Sequence, residues 1–354
     1  MTIARLSKKA PRVLPRRSVV YTLLNKKTLP KSQIELTLEL GADTIAKERD
    51  EALKRAASEA ELPGFRKGKV PVEMVRKQMG ELALWEEAAL HALSRALADL
   101  FQKEAIDALG RSAIVPTKLA PENPAGFKVI VSLVPKLTLP DYKALASRRN
   151  KEPREEAAIE EKEIDAVIKE ITGEHARRAG KKDFALSEES VKALGAFSSL
   201  ADLRAKVTEG LTAHKKSRAQ ELRRARLLDA LAKETRGELP DVLIASELAS
   251  MESEFEGHLT RLGSSFEAYL REIKKDRAAV QSEWRADAEK RVRLELAFAD
   301  IARRENIVAP KEDVEAEVKH LLEHYKDAKE ENARLFAENQ LLNRKVISFL
   351  EDQK

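Results

Sequence analysis

Leu62-Pro63-Gly64-Phe65-Arg66-Lys67-Gly68-Lys69-Val70-Pro71 is the stretch from which the rest of the chain can be read. Ten residues hold three cations and one aromatic, and two glycines and two prolines set the turns. Helical patterns flank it. Before it, a segment rich in Ala, Glu, Lys and Arg runs to about Ala60. Asp43 can cap that segment, because its carboxylate accepts the free amide hydrogens of a first helical turn. After it, Pro71 suits the start of a helix over Val72–Met79, where a missing N–H costs nothing, and Gly80 stops that helix. A third helix is predicted over Leu82–Glu104, with Leu84, Ala88, His91, Ala92, Leu93, Leu97, Leu100 and Phe101 at helical spacing. The stretch therefore reads as the tip of a helical hairpin.

Outward from the hairpin, period two appears. In Ser32–Leu40, Ile34, Leu36 and Leu38 alternate with Glu35, Thr37 and Glu39, which predicts a half-buried strand. Two strands are expected after the third helix. There Phe127, Val129, Val131 and Leu133 alternate with Lys128, Ile130 and Ser132. Strand, helices, then strands predict a compact α+β domain ending near Tyr142. Ser147–Lys182 is dominated by charge, with a thin stripe of Ile159, Ile164, Val167, Ile168 and Ile171, the pattern of a polar linker helix. From Phe184 on, every pattern is helical. Ser199 and Asp202 resemble a capping box, opening a helix to about Thr235. Further helices are predicted over Val242–Leu262, from Phe266, over Ala278–Asn306, Glu312–Tyr325 and Asn332–Leu350. No self-similarity indicates a solenoid.

Composition agrees. The 354 residues are 43% hydrophobic, 35% charged and only 5% aromatic, the mix of a mostly helical protein with long solvated faces. Without cysteine, disulfides, thiolate zinc sites and cysteine nucleophiles are excluded. No apolar run approaches the roughly 20 residues needed to span a bilayer. The net charge of +5 is mild, but Met1–Lys31 carries nine Lys and Arg and no acid. That segment reads as a solvated tail or upstream start, a phosphate-binding arm, or a transit peptide.

The glycine-flanked loop is not a Walker loop. Three residues rather than four separate its glycines, Val70 follows Lys69, and no strand precedes it. An exposed Phe beside Arg and Lys is better suited to docking. Arg forks onto carboxylate or phosphate, Lys adds diffuse charge, and Phe fills an apolar pocket. His320, Glu323 and His324 match the H-x-x-E-H protease pattern, but no third ligand accompanies them and their surroundings are helical. They read as an ordinary helix face, so no metal, cofactor or catalytic group is assigned. Met251, Phe255, Leu259, Leu262, Phe266 and Leu270 recur on successive turns, as do Leu335, Phe336, Leu341, Leu342, Ile347, Phe349 and Leu350. Core packing covers most of these; any left open would mark an interaction surface.

Gly64, Phe65, Arg66, Gly68, Lys69 and Pro71 match without substitution the G-F-R-x-G-K-x-P signature of the bacterial trigger factor family, ribosome-associated chaperones. Leu29–Thr37 and Phe127–Leu137 resemble its ribosome-binding domain. The runs Pro240–Leu248 and Arg291–Ala302 resemble its arm-and-back domain. The resemblance implies a mainly α protein: an α+β N-terminal ribosome-binding domain plus an all-α C-terminal arm-and-back domain, elongated. Residues 1–25 would be a basic, disordered tail, 26–145 the ribosome-binding domain, 146–183 a helical linker, and 184–354 the chaperone domain with arms. Most members insert a β-rich FKBP-type prolyl isomerase domain between linker and arms. Here the linker passes from Ile171 through Phe184 into Ser199 with no room for one.

What the resemblance implies is an ATP-independent, cytoplasmic chaperone that is not an enzyme. Its partners would be the large ribosomal subunit at the exit tunnel (protein and rRNA) and nascent or unfolded polypeptides, with no membrane. A homodimer off the ribosome is compatible with this. Gly64, Phe65, Arg66, Lys67, Gly68, Lys69 and Pro71 would form the ribosome contact, with Arg76 and Lys77 adding phosphate contacts. Phe255, Phe266, Leu335 and Phe336 are the candidates for client binding. A ribosome-free helical holdase or assembly factor, binding nucleic acid nonspecifically through loop and tail, is the alternative.

Overall fold

The computed structural model describes residues 20–59, 70–152, 158–178, 186–187, 191–192, 194, 197–326 and 328–354. Contacts divide the chain into two compact units, Met1–Leu139 with Thr235–Lys345, and Pro140–Glu234 with Val346–Lys354. Each is built from segments distant in sequence, so this division cuts across the blocks 26–145, 146–183 and 184–354.

The first unit contains a four-stranded antiparallel sheet of order β1-β2-β4-β3, with β1 at Tyr21–Leu29, β2 at Gln33–Leu40, β3 at Ala108–Lys118 and β4 at Ala125–Leu133. The alternation predicted for β2 and β4 is what makes its buried face. Ile34, Leu36 and Leu38 lie opposite Val131, Val129 and Phe127, and all are buried. Helix α3 (Glu81–Lys103) covers that face through Ala88, Ala89, Ala92 and Ala96 among larger residues, and the small side chains let helix and sheet approach closely. Helix α1 (Ala42–Glu59) adds Ile45 to the same core, and α2 (Val72–Met79) completes the hairpin.

The strand β1 corrects the expectation of a tail to residue 25. Its start at Tyr21 is held by β2, and the Tyr21 hydroxyl donates to Asp99 at 2.9 Å. Residues 1–19 lie outside the described residues.

The same unit includes four C-terminal helices. They are numbered here after two that belong to the second unit, α4 (Tyr142–Asn150) and α5 (Glu161–Arg178), and the long α6 (Leu200–Glu234). Helices α7 (Asp241–Arg261), α8 (Phe266–Ile273), α9 (Arg277–Arg304) and α10 (Lys311–His324) follow, and α11 (Glu330–Glu351) is the last. The sheet end of the unit is joined to α7 and α9 by a core of Leu109, Leu239, Leu243, Ile244, Ala288, Val292 and Leu296. Polar contacts reinforce it. Thr138 bridges Arg236 as an antiparallel pair, and Arg293 donates to the carbonyls of Thr235 and Gly237 at 3.1 and 3.0 Å. The β1–β2 turn places Lys31 and Ser32 at φ of 57° and 53°. Two successive left-handed residues suit a tight hairpin but are costly without glycine. The turn is held because the Lys31 N–H donates to Glu238 and the Lys31 ammonium lies 2.6 Å from Asp241, which also pairs with Arg285 at 2.7 Å.

In the second unit, α5 and the start of α6 share a core of Ile164, Ile168, Val191, Leu203 and Val207. The capping box at the start of α6 forms, with Ser199 Oγ accepting from the Asp202 N–H at 3.1 Å. Leu227 and Leu231 near the end of α6 are buried, as are Leu145 and Ala146 of α4 and Val346 and Leu350 of α11. Helix α4 was not foreseen. Its sequence has no apolar stripe, and its start is fixed instead by the Asp141 carboxylate, which accepts from the Ala144 N–H at 3.0 Å.

Candidate docking hairpin and apolar helix surface

The tip residues Gly64, Phe65, Arg66, Lys67, Gly68 and Lys69 lie outside the described residues. What carries the tip is described. Val70 is buried between the hairpin helices with Leu53, Ala57, Val75 and Leu84. It is an apolar plug that returns the chain to the hairpin. Pro71 is exposed at φ −61° and ψ 135°, and its carbonyl accepts from the N–H groups of Met74 and Val75 at 3.0 and 3.4 Å. Proline here spends no amide hydrogen and sets the direction of α2.

Farther down, α1 and α3 are joined by Glu48, only 5% exposed, which accepts from Arg95 and faces His91 Nδ1 at 3.4 Å. A buried carboxylate is stable only when paired in this way. Arg49 lies over the Trp85 ring at 5.9 Å, so a cation caps the largest core side chain.

The expected phosphate contact of Arg76 needs correction. Its guanidinium donates to Glu81 and lies 4.0 Å from Glu73, so it is engaged within the hairpin. Lys77 is exposed. Sequence reading missed three apolar residues on the hairpin shoulders: Val72, Met74 and Leu82 are 39%, 42% and 56% exposed. The signal was present, since each is an apolar residue on the outward side of a helix whose inward side is already apolar.

The four client-binding candidates separate. Phe266 is 1% exposed, which corrects its assignment to an open surface. It closes the α7–α8 corner, where its ring stacks on Tyr269 and carries the Arg277 guanidinium 5.4 Å above it. Phe255 is half-buried and meets Tyr269 and Trp284 edge to face at centroid distances of 4.9 and 5.5 Å. Beside it, Met251, His258, Trp284, Glu254 and Arg291 line a shallow open cleft with both apolar and charged edges. Leu335 is half-buried, whereas Phe336 is 52% exposed. Trp284 was not singled out from the sequence, although a tryptophan in an otherwise charged helix of an aromatic-poor chain was the available clue.

His320 and His324 share a helix face with ring centroids 4.3 Å apart, and His324 Nδ1 lies 2.9 Å from the His320 carbonyl. Among the described residues no group of three or more His, Cys, Asp or Glu is arranged to hold a metal ion.

Comparison with known proteins accounts for both ends of the chain. Residues 23–171 match the family model described as bacterial trigger factor protein, and residues 199–354 match the model of the trigger factor C-terminus. The trigger factor of Carboxydothermus hydrogenoformans is 23% identical over 418 positions, covering 92% of this chain and 98% of that protein. The trigger factor of Herpetosiphon aurantiacus is 37% identical over 132 residues, covering 37% of this chain and 27% of that protein. A solved structure of the trigger factor chaperone shares the fold, with a TM-score of 0.52 at 16% identity, covering 93% of this chain and all of that one. The alignment with the Carboxydothermus protein is longer than the 354 residues of this chain, so that relative carries internal sequence with no counterpart here. Only residues 172–198 separate the two matched regions, too few for an isomerase domain. With the hairpin signature, the sheet-and-hairpin unit and both family models in agreement, this chain belongs to the bacterial trigger factor family, as a form without the isomerase domain.

Proposed function

We propose that the protein is a ribosome-associated chaperone that docks through the Gly64–Pro71 tip beside the exit tunnel and shields nascent or unfolded chains without ATP. The observation that carries this is the family signature at the tip of a hairpin whose return is anchored by the buried Val70. In this reading Phe65 fills an apolar pocket on a ribosomal protein, while Arg66 and Lys67 meet carboxylate or phosphate. Gly64, Gly68 and Pro71 shape the turn, and Lys69 and the exposed Lys77 add charge toward rRNA. Val72 and Met74 supply apolar shoulders beside the tip.

Client contacts belong to Phe336, to the edge of Leu335, and to the cleft beside Phe255 and Trp284. Each contact is small, and burial at about 25 cal/mol per Å² makes such contacts individually weak and collectively useful. A client held that way leaves when its own core competes for the same apolar groups, so release needs no nucleotide. The work is binding rather than catalysis, and its place is the cytoplasm, where translating ribosomes are. Self-association off the ribosome would be read from the sedimentation of the purified protein. No helix among the described residues is long and apolar enough to cross a membrane.

Cosedimentation with ribosomes tests the proposal. The wild type should pellet with large subunits, and a Phe65→Ala, Arg66→Ala, Lys67→Ala variant should remain in the supernatant with its helix content unchanged. Equal pelleting of the two would overturn the assignment of the tip.

A further inference from the structure

Helix α6 is packed at its two ends and bare in the middle. Leu203 and Val207 are buried near its start, and Leu227 and Leu231 near its end. From 208 to 226 no residue is buried. At 1.5 Å per residue this is a shaft roughly 28 Å long. A helix that is polar all round normally balances its charges with pairs along its own surface. This one does not. Residues 211–226 hold six Lys and Arg (Lys215, Lys216, Arg218, Arg223, Arg224 and Arg226) against a single acid, Glu221. That local excess equals the +5 net charge of the whole chain. Lys215 is engaged by Glu163 at 2.6 Å and Arg224 by Glu351 at 2.7 Å. Among the described residues, Lys216, Arg218 and Arg223 have no carboxylate within ion-pairing distance. Lys216 and Arg218 are fully exposed.

We propose that the bare middle of α6 binds the phosphate backbone of RNA through Lys216, Arg218 and Arg223. The site goes beyond hairpin docking and does not depend on it. Several features favour RNA over other anionic partners. A membrane-surface helix needs an apolar face, and the shaft exposes only Leu222 as a large apolar residue. A protein partner normally needs an apolar centre within the interface, which is also missing. Lys216 and Arg223 are seven residues apart and so lie on one side of the helix about 10 Å apart along the axis, while Arg218 projects to another side. Cations distributed around an open rod suit a charged backbone that passes along it, and each phosphate neutralised releases a counterion.

The test uses the full chain with Phe65, Arg66 and Lys67 changed to Ala, so that the tip contributes nothing. A fluorescein-labelled RNA duplex of mixed sequence is titrated by fluorescence anisotropy at several salt concentrations, with and without Lys216→Ala, Arg218→Ala and Arg223→Ala. Alanine keeps the helix. If the triple variant loses helicity by circular dichroism, the single exposed-site variants Lys216→Gln and Arg218→Gln replace it. Affinity should fall about tenfold, and the slope of log affinity against log salt should flatten by about two units. A variant with Lys216→Arg, Arg218→Lys and Arg223→Lys should bind like its parent. Unchanged affinity and slope in the alanine variant would overturn the site. Poly-L-glutamate titrated in parallel should bind more weakly than RNA at every salt concentration; equal or tighter binding would overturn RNA as the partner in favour of an acidic polypeptide. Because ribosome pelleting reads the tip and anisotropy reads the shaft, failure of one is separable from failure of the other.

Discussion

Asp241 shows how much one side chain can organise. It begins α7, yet its two partners come from the β1–β2 turn and from α9. The Lys31 ammonium, and after it the Arg285 guanidinium, holds the Asp241 carboxyl below its ordinary range. A depressed folded pKa means that this contribution to stability is complete above the unfolded carboxylate range near 4 and is lost as pH falls through the depressed folded value. The pair is nearly half exposed, so solvent limits its contribution to under about 1 kcal/mol. Asp241→Asn should therefore lower stability slightly at neutral pH and flatten the acid limb of a urea-denaturation series. A series parallel to wild type down to the acid transition would show that the carboxylate contributes nothing. None of this was visible in the sequence, where Lys31 and Asp241 are separated by two hundred residues of chain. The docking tip was the opposite case. Its residues announced themselves by type and spacing, because a loop containing two Gly, Phe and three cations has few uses in folding. The client-binding aromatics lay between these extremes. Phe266 and Phe336 look alike in sequence, and only packing decides that one closes a corner and the other faces outward.

Among the elements, those with strong periodicity were legible and those without it were not. β2 and β4 were read from alternation, and α6 through α11 from helical repeats with Gly and Pro at their ends. β3 was expected as a second strand but could not be placed. It is an edge strand with Pro116 inside it and breaks in register after Leu109 and after Pro116. Edge positions tolerate both, and so erase the signal. α4 was missed because its stability comes from contacts far along the chain. The Asn150 amide donates to the carbonyls of Leu350, Glu351 and Gln353 at 2.9, 3.0 and 2.9 Å, closing the end of α11. Asn150→Ala should cost about 1–2 kcal/mol and speed hydrogen exchange in the last turn of α11. Asn150→Asp is the sharper variant. It sets a carboxylate against three carbonyls and should be worse than alanine despite its matching shape. A protein that tolerates Asp as well as Ala would show that the cap is not what holds that turn.

At the scale of the whole molecule, the function of each region could be read in sequence order but the packing could not. Sequence blocks end where composition changes, whereas the sheet is completed by a core that includes Leu239, Leu243, Val292 and Leu296. A truncated chain of residues 20–139 should keep its strands but uncover Leu109, Val134 and Leu137. It should bind the dye ANS and aggregate at concentrations where the full chain stays in solution. A truncated chain that is monomeric and does not bind dye would show that the sheet end does not need those helices. The same joint has a kinetic side. At about 5–20 residues per second, the ribosome takes roughly 10–30 s to proceed from Leu139 to the end of the α9 contacts. Throughout that interval the finished sheet carries an uncovered sticky patch, with a second unit emerging between it and its cover. During its own synthesis this chaperone presents the same hazard that it relieves in others, and an already folded copy waiting at the same ribosome is well placed to attend to it.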